Sequence, residues 1–414
     1  MPLDGYHSVK PGRGSMRKTV LTTREAGLAS PAMNERKLKA WVEAGIIDSE
    51  AAARIRVWEE SHSRPLALWA VIGIGALAIG LGIVLVVAAN WDDIPAMVRL
   101  GIHLALLAAL LGALAWFGDR LAERQPWGQE ALLFVIGALG LTFLPHLGQA
   151  YQTTSPLWQP LLTWLVLLGP LLLLRGQSWL IAAAVMAGTV AAALSFAAGS
   201  RDELTGDWSY PTAIGSAFVT SLPVLAVGLG AIMRRFSDRE AFWRRIEQLG
   251  LSYGVLMVSF MAVIATDGGV SDRISQFSAS VLTVRAAVLA AAAGLVLALH
   301  RAASGRAAAG VLGGSAAVVM LLAGAQGHAV PPAILFILLW TGIAAAATYA
   351  GWRVTFQFAV AAVALRLIVL SFELDDDLLG SGLGLIVSGV LILGIAGAAV
   401  VIARRFAPPR EPQP

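Results

Sequence analysis

The chain contains no cysteine, which excludes a disulfide framework, a zinc ribbon and a thiol nucleophile. Charge is scarce as well. Asp, Glu, Lys and Arg make up 14% of the 414 residues, about half the share of a soluble domain, while 57% are hydrophobic. With a mean hydropathy of +0.73, a water-soluble fold has nowhere to hide this apolar surface, so much of it must face lipid. Short catalytic signatures are missing too: there is no HExxH, no GxSxG elbow, no phosphate-binding GxxxxGK and no GxGxxG after a strand. Gly73-Ile74-Gly75 and Gly80-Leu81-Gly82 lie inside an apolar run, where small residues serve close helix approach. The net charge of +4 reflects where the basic residues lie along the chain, and no nucleic-acid partner is expected.

What the sequence does contain is apolar stretches of about 17–25 residues, the length that crosses the hydrocarbon core as helix. Twelve are expected, near 66–89, 97–117, 130–146, 157–174, 178–198, 212–233, 249–266, 281–300, 306–325, 332–350, 354–372 and 379–403. The third and fourth are short, and Pro145, Pro160 and Pro170 are expected to kink them or make one re-entrant. The fold class is therefore all-α, a polytopic transmembrane helix bundle spanning 65–404. Lys and Arg in alternate loops test the orientation, because cytoplasmic loops retain the excess. With both termini inside, twenty-five of the 30 basic residues fall on the cytoplasmic side.

Residues 1–33 read as a disordered cytoplasmic tail and 405–414 as a second tail. Between the first tail and the membrane, 34–64 reads as a short cytoplasmic helical hairpin. Gly45 suits the left-handed position after a helix, and Asp48 suits the N-cap of the next. In the central loop, Ser237-Asp238-Arg239-Glu240 has the form of a capping box. It leads into an amphipathic segment, 237–248, expected as a helix lying on anionic headgroups of the inner leaflet.

Ionisable residues within spans are costly and mark function. On this topology the unusual polar residues gather toward the outer face: Asn90, Trp91 and Asp92 after the first span, His103 in the second, Gln149 and Tyr151 after the third, Arg285 in the eighth and Arg366 in the eleventh. Together they are the expected ligand-binding residues of one outward-facing polar pocket. The two arginines would either fix an anion or pair with Asp92, Asp93 or Glu373; snorkelling toward the interface is the plainer reading. No catalytic residue, metal ligand or cofactor is assigned, since His103, His146 and His328 lack any metal-site spacing.

Trp41-Val42-Glu43-Ala44-Gly45-Ile46-Ile47-Asp48, the corner Ala89-Asn90-Trp91-Asp92-Asp93-Ile94-Pro95, and Leu147-Gly148-Gln149-Ala150-Tyr151-Gln152 resemble a bacterial family of predicted integral membrane proteins, domain of unknown function 2157. The likeness covers roughly 38–180. It implies a multi-pass protein of the bacterial inner membrane and supplies no activity or site residue. Three functions follow as expectations. The first is transport or sensing of a small polar or anionic solute by a non-enzymatic protein. The second is a membrane scaffold that binds a cytoplasmic protein partner through its inner helices. The third is an enzyme of lipid or envelope precursors using Asp92, His103 or His146. Membrane lipids are an expected partner in all three.

Overall fold

A computed structural model of the chain describes residues 38, 41–62, 94–152, 155–201, 209–266, 277–325, 330–374 and 382–408, with single positions between 71 and 85. The first expected span, the tails at 1–33 and 409–414, Asn90, Trp91, Asp92, Asp93, His328 and Asp375–Asp377 lie wholly or largely outside these residues. The chain divides into two compact units, 1–94 and 95–414.

In the first unit, residues 41–43 are helical and the chain turns at Gly45, whose φ of 69° is open to glycine without a Cβ penalty. Ile46 N–H donates to Trp41 O and Gly45 N–H to Val42 O, the paired bonds of a Schellman stop. Helix α1 (Ser49–His62) follows, and Asp48 caps it by accepting from Ala51 N–H at 2.6 Å.

The second unit is all helix among the described residues. It runs α2 (Ala96–Arg124), α3 (Pro126–Tyr151), α4 (Trp158–Arg175), α5 (Trp179–Gly199), α6 (Tyr210–Ser221), a 3-10 turn at Leu222–Leu225, α7 (Ala226–Phe236), α8 (Glu240–Ile264), α9 (Ala279–Leu299), α10 (Ala303–Leu321), α11 (Val330–Ala350), α12 (Arg353–Leu374) and α13 (Gly382–Phe406). Among the described residues ten helices are long and apolar enough to cross a membrane, α6 and α7 forming one of them through the 3-10 turn. Large apolar side chains such as Ile102, Leu104, Trp116 and Phe117 lie bare on α2, as they would against lipid. The protein is an integral membrane protein.

Within the second unit most consecutive helices pack against each other, α9 sits on α6, α7 and α10, and α8 crosses the row to meet α5, α10 and α11. One core gathers Val258, Leu282, Leu289 and Leu312 from α8, α9 and α10. A second gathers Leu133, Trp164, Leu172 and Ile181 from α3, α4 and α5. Neither Pro145 nor Pro170 breaks its helix: α3 runs 26 residues and α4 18.

The central loop differs from the sequence reading. No side chain caps α8; instead Ser237 Oγ accepts from Arg239 N–H at 3.3 Å. Helix α8 continues unbroken from Glu240 to Ile264, so 240–248 is the first third of one long helix and not a separate one. Phe242, Trp243 and Ile246 are buried with Leu172 and Ile181, because their apolar side meets protein where lipid was expected.

The alternation of basic loops has a direct structural counterpart. Arg175 pairs with Asp119, Arg239 donates to Gly176 O, Arg235 to Leu299 O and Arg353 to Pro408 O, while Arg306 lies over the Tyr349 ring. These contacts tie the loops after α2, α4, α7, α9 and α11, and the end of α13, into one basic end.

Candidate functional site

One buried charge lies where a helix breaks. Pro223 has no N–H, so it cannot serve the carbonyl of Val219 four residues back. The chain answers with a 3-10 turn at Leu222–Leu225, and Leu222 N–H takes that carbonyl instead. Just before the turn, Thr220 Oγ1 donates to Ser216 O at 2.7 Å and accepts from Arg285 Nη1 at 2.9 Å. From α8, Tyr253 OH donates to Thr220 O at 2.6 Å, and Met257 Sδ lies 3.7 Å from the same guanidinium nitrogen. Arg285 is only 8% exposed. Three elements, α6, α8 and α9, thus converge on one cation inside the bundle, beside hydroxyls from Thr220 and Tyr253.

A second polar site joins α2 to α3. His103 is buried; its Nε2 is 2.8 Å from Leu139 O and its Nδ1 2.9 Å from His146 Nδ1. A carbonyl can only accept, so Nε2 of His103 carries a hydrogen toward Leu139 O, and of the two facing Nδ1 atoms one donates and the other accepts. Among the described residues no three His, Asp or Glu side chains converge as metal ligands would.

The third is an ion pair within α12. Arg366, 3% exposed, donates to both carboxylate oxygens of Glu373 at 2.8 and 2.9 Å. Of the partners weighed for this arginine, Glu373 is the one it meets, and the pair is neutral as a unit.

The expected single pocket therefore resolves into separate sites among the described residues. His103 lies between α2 and α3, Arg285 among α6, α8 and α9, and Arg366 within α12. Gln149 and Tyr151 sit exposed at the end of α3, where Gln152 takes a left-handed φ of 49° and closes the helix. Asn90, Trp91 and Asp92 lie outside the described residues. A separate groove of about 470 Å³ opens at the basic end, lined by Gly294, Leu297, Ala298, Arg301 and Arg306.

Of the three motifs that carried the family resemblance, the turn at Gly45 and the corner at Gln152 lie within the described residues, and the Ala89–Pro95 corner lies largely outside them. Residues 39–181 match the model of the family described as a predicted membrane protein, domain of unknown function 2157. The segment matching domain of unknown function 2157 holds α1 to α4 and the His103–His146 pair; Arg285 and Arg366 lie beyond it. No curated protein and no solved structure matches the chain.

Thr220, Tyr253 and Met257 escaped the sequence reading. Pro223, in the middle of the apolar stretch 212–233 and three residues after a threonine, is the signal that would have located this site.

Proposed function

We propose that this chain is a multi-pass protein of the bacterial inner membrane that transports or senses a small anionic solute, with Arg285 meeting the negative charge. The observation that carries the reading is the buried guanidinium of Arg285 beside the broken helix at Leu222–Leu225. A cation within a bilayer is costly, and one held at a helix interruption with hydroxyl groups around it is the chemistry by which membrane proteins receive polar solutes. Thr220 and Tyr253 would add neutral hydrogen bonds to the charge of Arg285. Gathering of the basic loops at one end supports an arrangement of twelve spans with both termini in the cytoplasm. On that arrangement the Arg285 site lies in the outer half of the membrane.

The test is thermal unfolding of the purified full-length protein in detergent, with chloride, phosphate, sulfate, acetate, citrate and glutamate as probes. An anion present at a hundred times its dissociation constant raises stability by about 2.7 kcal/mol. The expected result is a rise with at least one of these anions that Arg285→Gln abolishes while the variant still unfolds cooperatively. A rise that persists unchanged in Arg285→Gln, or no rise with any of them in folded wild-type protein, overturns the reading.

A further inference from the structure

At the basic end, three arginines of the first half are paired with carboxylates of the protein itself. Arg175 meets Asp119, Arg234 meets both Glu240 and Glu247, and Arg244 meets Glu240. The second half has no such means. Between Asp272 and Glu373 the sequence contains no Asp or Glu, and between Asp377 and Glu411 none again. Arg301 and Arg306 fall in the first of these acid-free stretches, at the mouth of the groove between the end of α9 and the start of α10. Both side chains are exposed, and neither forms an ion pair among the described residues. Arg306 is steadied by the Tyr349 ring, 5.5 Å from its guanidinium carbon.

The groove below the arginines is apolar. Leu297 and Ala298 line it, and a Cβ placed on Gly294 would meet no atom within 4 Å. Gly294 is five residues before the end of α9, so the floor lies about 8 Å along the helix from its terminus. A small soluble anion has no use for such a floor, and an uncharged acyl chain has no use for two arginines. An amphiphile with an anionic head and an apolar tail uses both.

We propose that this groove binds an anionic phospholipid, its phosphodiester held between Arg301 and Arg306 and the start of an acyl chain lying over Gly294. The site stands apart from Arg285 and does not depend on the solute reading.

The full-length protein in nonionic detergent is titrated with phosphatidylglycerol, with phosphatidylcholine and, separately, with glycerol phosphate, and bound lipid is counted by native mass spectrometry. Phosphatidylglycerol is expected to bind in preference to phosphatidylcholine. The double variant R301Q/R306Q should weaken it about ten- to thirty-fold, at roughly a factor of five per arginine near the surface. Gly294→Leu fills the floor without changing any charge, its Cβ meeting no atom within 4 Å, and should weaken binding severalfold. R120Q/R124Q, on another loop of the same end, should leave it unchanged. Equal binding of phosphatidylcholine, full binding by R301Q/R306Q or by Gly294→Leu, or glycerol phosphate competing as well as the lipid would each overturn the proposal, the last by making this a soluble-phosphate site.

Discussion

Glu130 and Arg239 hold the same turn between α4 and α5. The carboxylate of Glu130 accepts from Gln177 N–H at 2.6 Å and Ser178 N–H at 3.0 Å, while Arg239 donates to Leu173 O at 2.8 Å and Gly176 O at 2.7 Å. One residue satisfies the free donors at the start of a helix and the other the free acceptors at the end of its predecessor. Burial holds the Arg239 guanidinium below its usual range against the opposing pull of Glu130. The segment that matches the family is thereby clamped to the start of α8, far outside it.

Arg239→Ala should therefore leave two helix-end carbonyls without their charged donor and lower stability by about 2–3 kcal/mol. Arg239→Lys should recover less than half, because a single ammonium cannot reproduce the two-pronged geometry. Thermal unfolding in detergent measures both, and full recovery by lysine would show that charge alone matters here.

Close approach of α7 and α8 gives a second expectation. A Cβ on Gly230 would stand 2.7 Å from Trp243 O and 2.9 Å from Glu247 N, and one on Gly250 would stand 2.8 Å from Val227 N. These neighbours are backbone and cannot rotate away. Gly230→Ala and Gly250→Ala should each cost about 1–3 kcal/mol by forcing the helices apart. Gly310→Ala, where the added methyl meets nothing within 4 Å, should be neutral or stabilising by about 0.5–1 kcal/mol. Unfolding midpoints that fail to separate these two groups would refute the close approach.

The ion pair in α12 gives a third. Removing Glu373 leaves Arg366 buried without its counter-charge, and Glu373→Gln should cost about 2–3 kcal/mol, tempered by the carboxylate's partial exposure. The double variant R366Q/E373Q should regain most of that loss. A double-mutant cycle in detergent reads the coupling, and additive losses would mean that the two side chains do not act as a pair.

Much of the architecture was legible because a bilayer imposes it. The lengths of the apolar runs anticipated most of α2 to α13 to within several residues, missing the early start of α8 at Glu240 and the break between α6 and α7, and Gly45 and Asp48 turned and capped the hairpin by local rules that need no tertiary contact. The counting of basic loops anticipated that alternate loops share an end. The interfacial helix was misread for a physical reason: Phe242, Trp243 and Ile246 form an apolar side, and periodicity reports a side without reporting what covers it. Leu172 and Ile181 cover it.

The sequence by itself determined that this protein lives in a membrane, where its helices lie and which of its loops are basic, since each follows from composition and short-range backbone chemistry. Tertiary structure decided which polar groups meet. Arg285 finds Thr220 and Tyr253, His103 finds His146, and Arg366 keeps to Glu373. Apolar spans present nearly equivalent faces to lipid and to each other, so the hydrophobic effect does not choose their partners. That choice falls to close packing at glycines and to the few hydrogen bonds that a buried polar side chain must satisfy, and these are long-range relations that spacing along the chain does not encode.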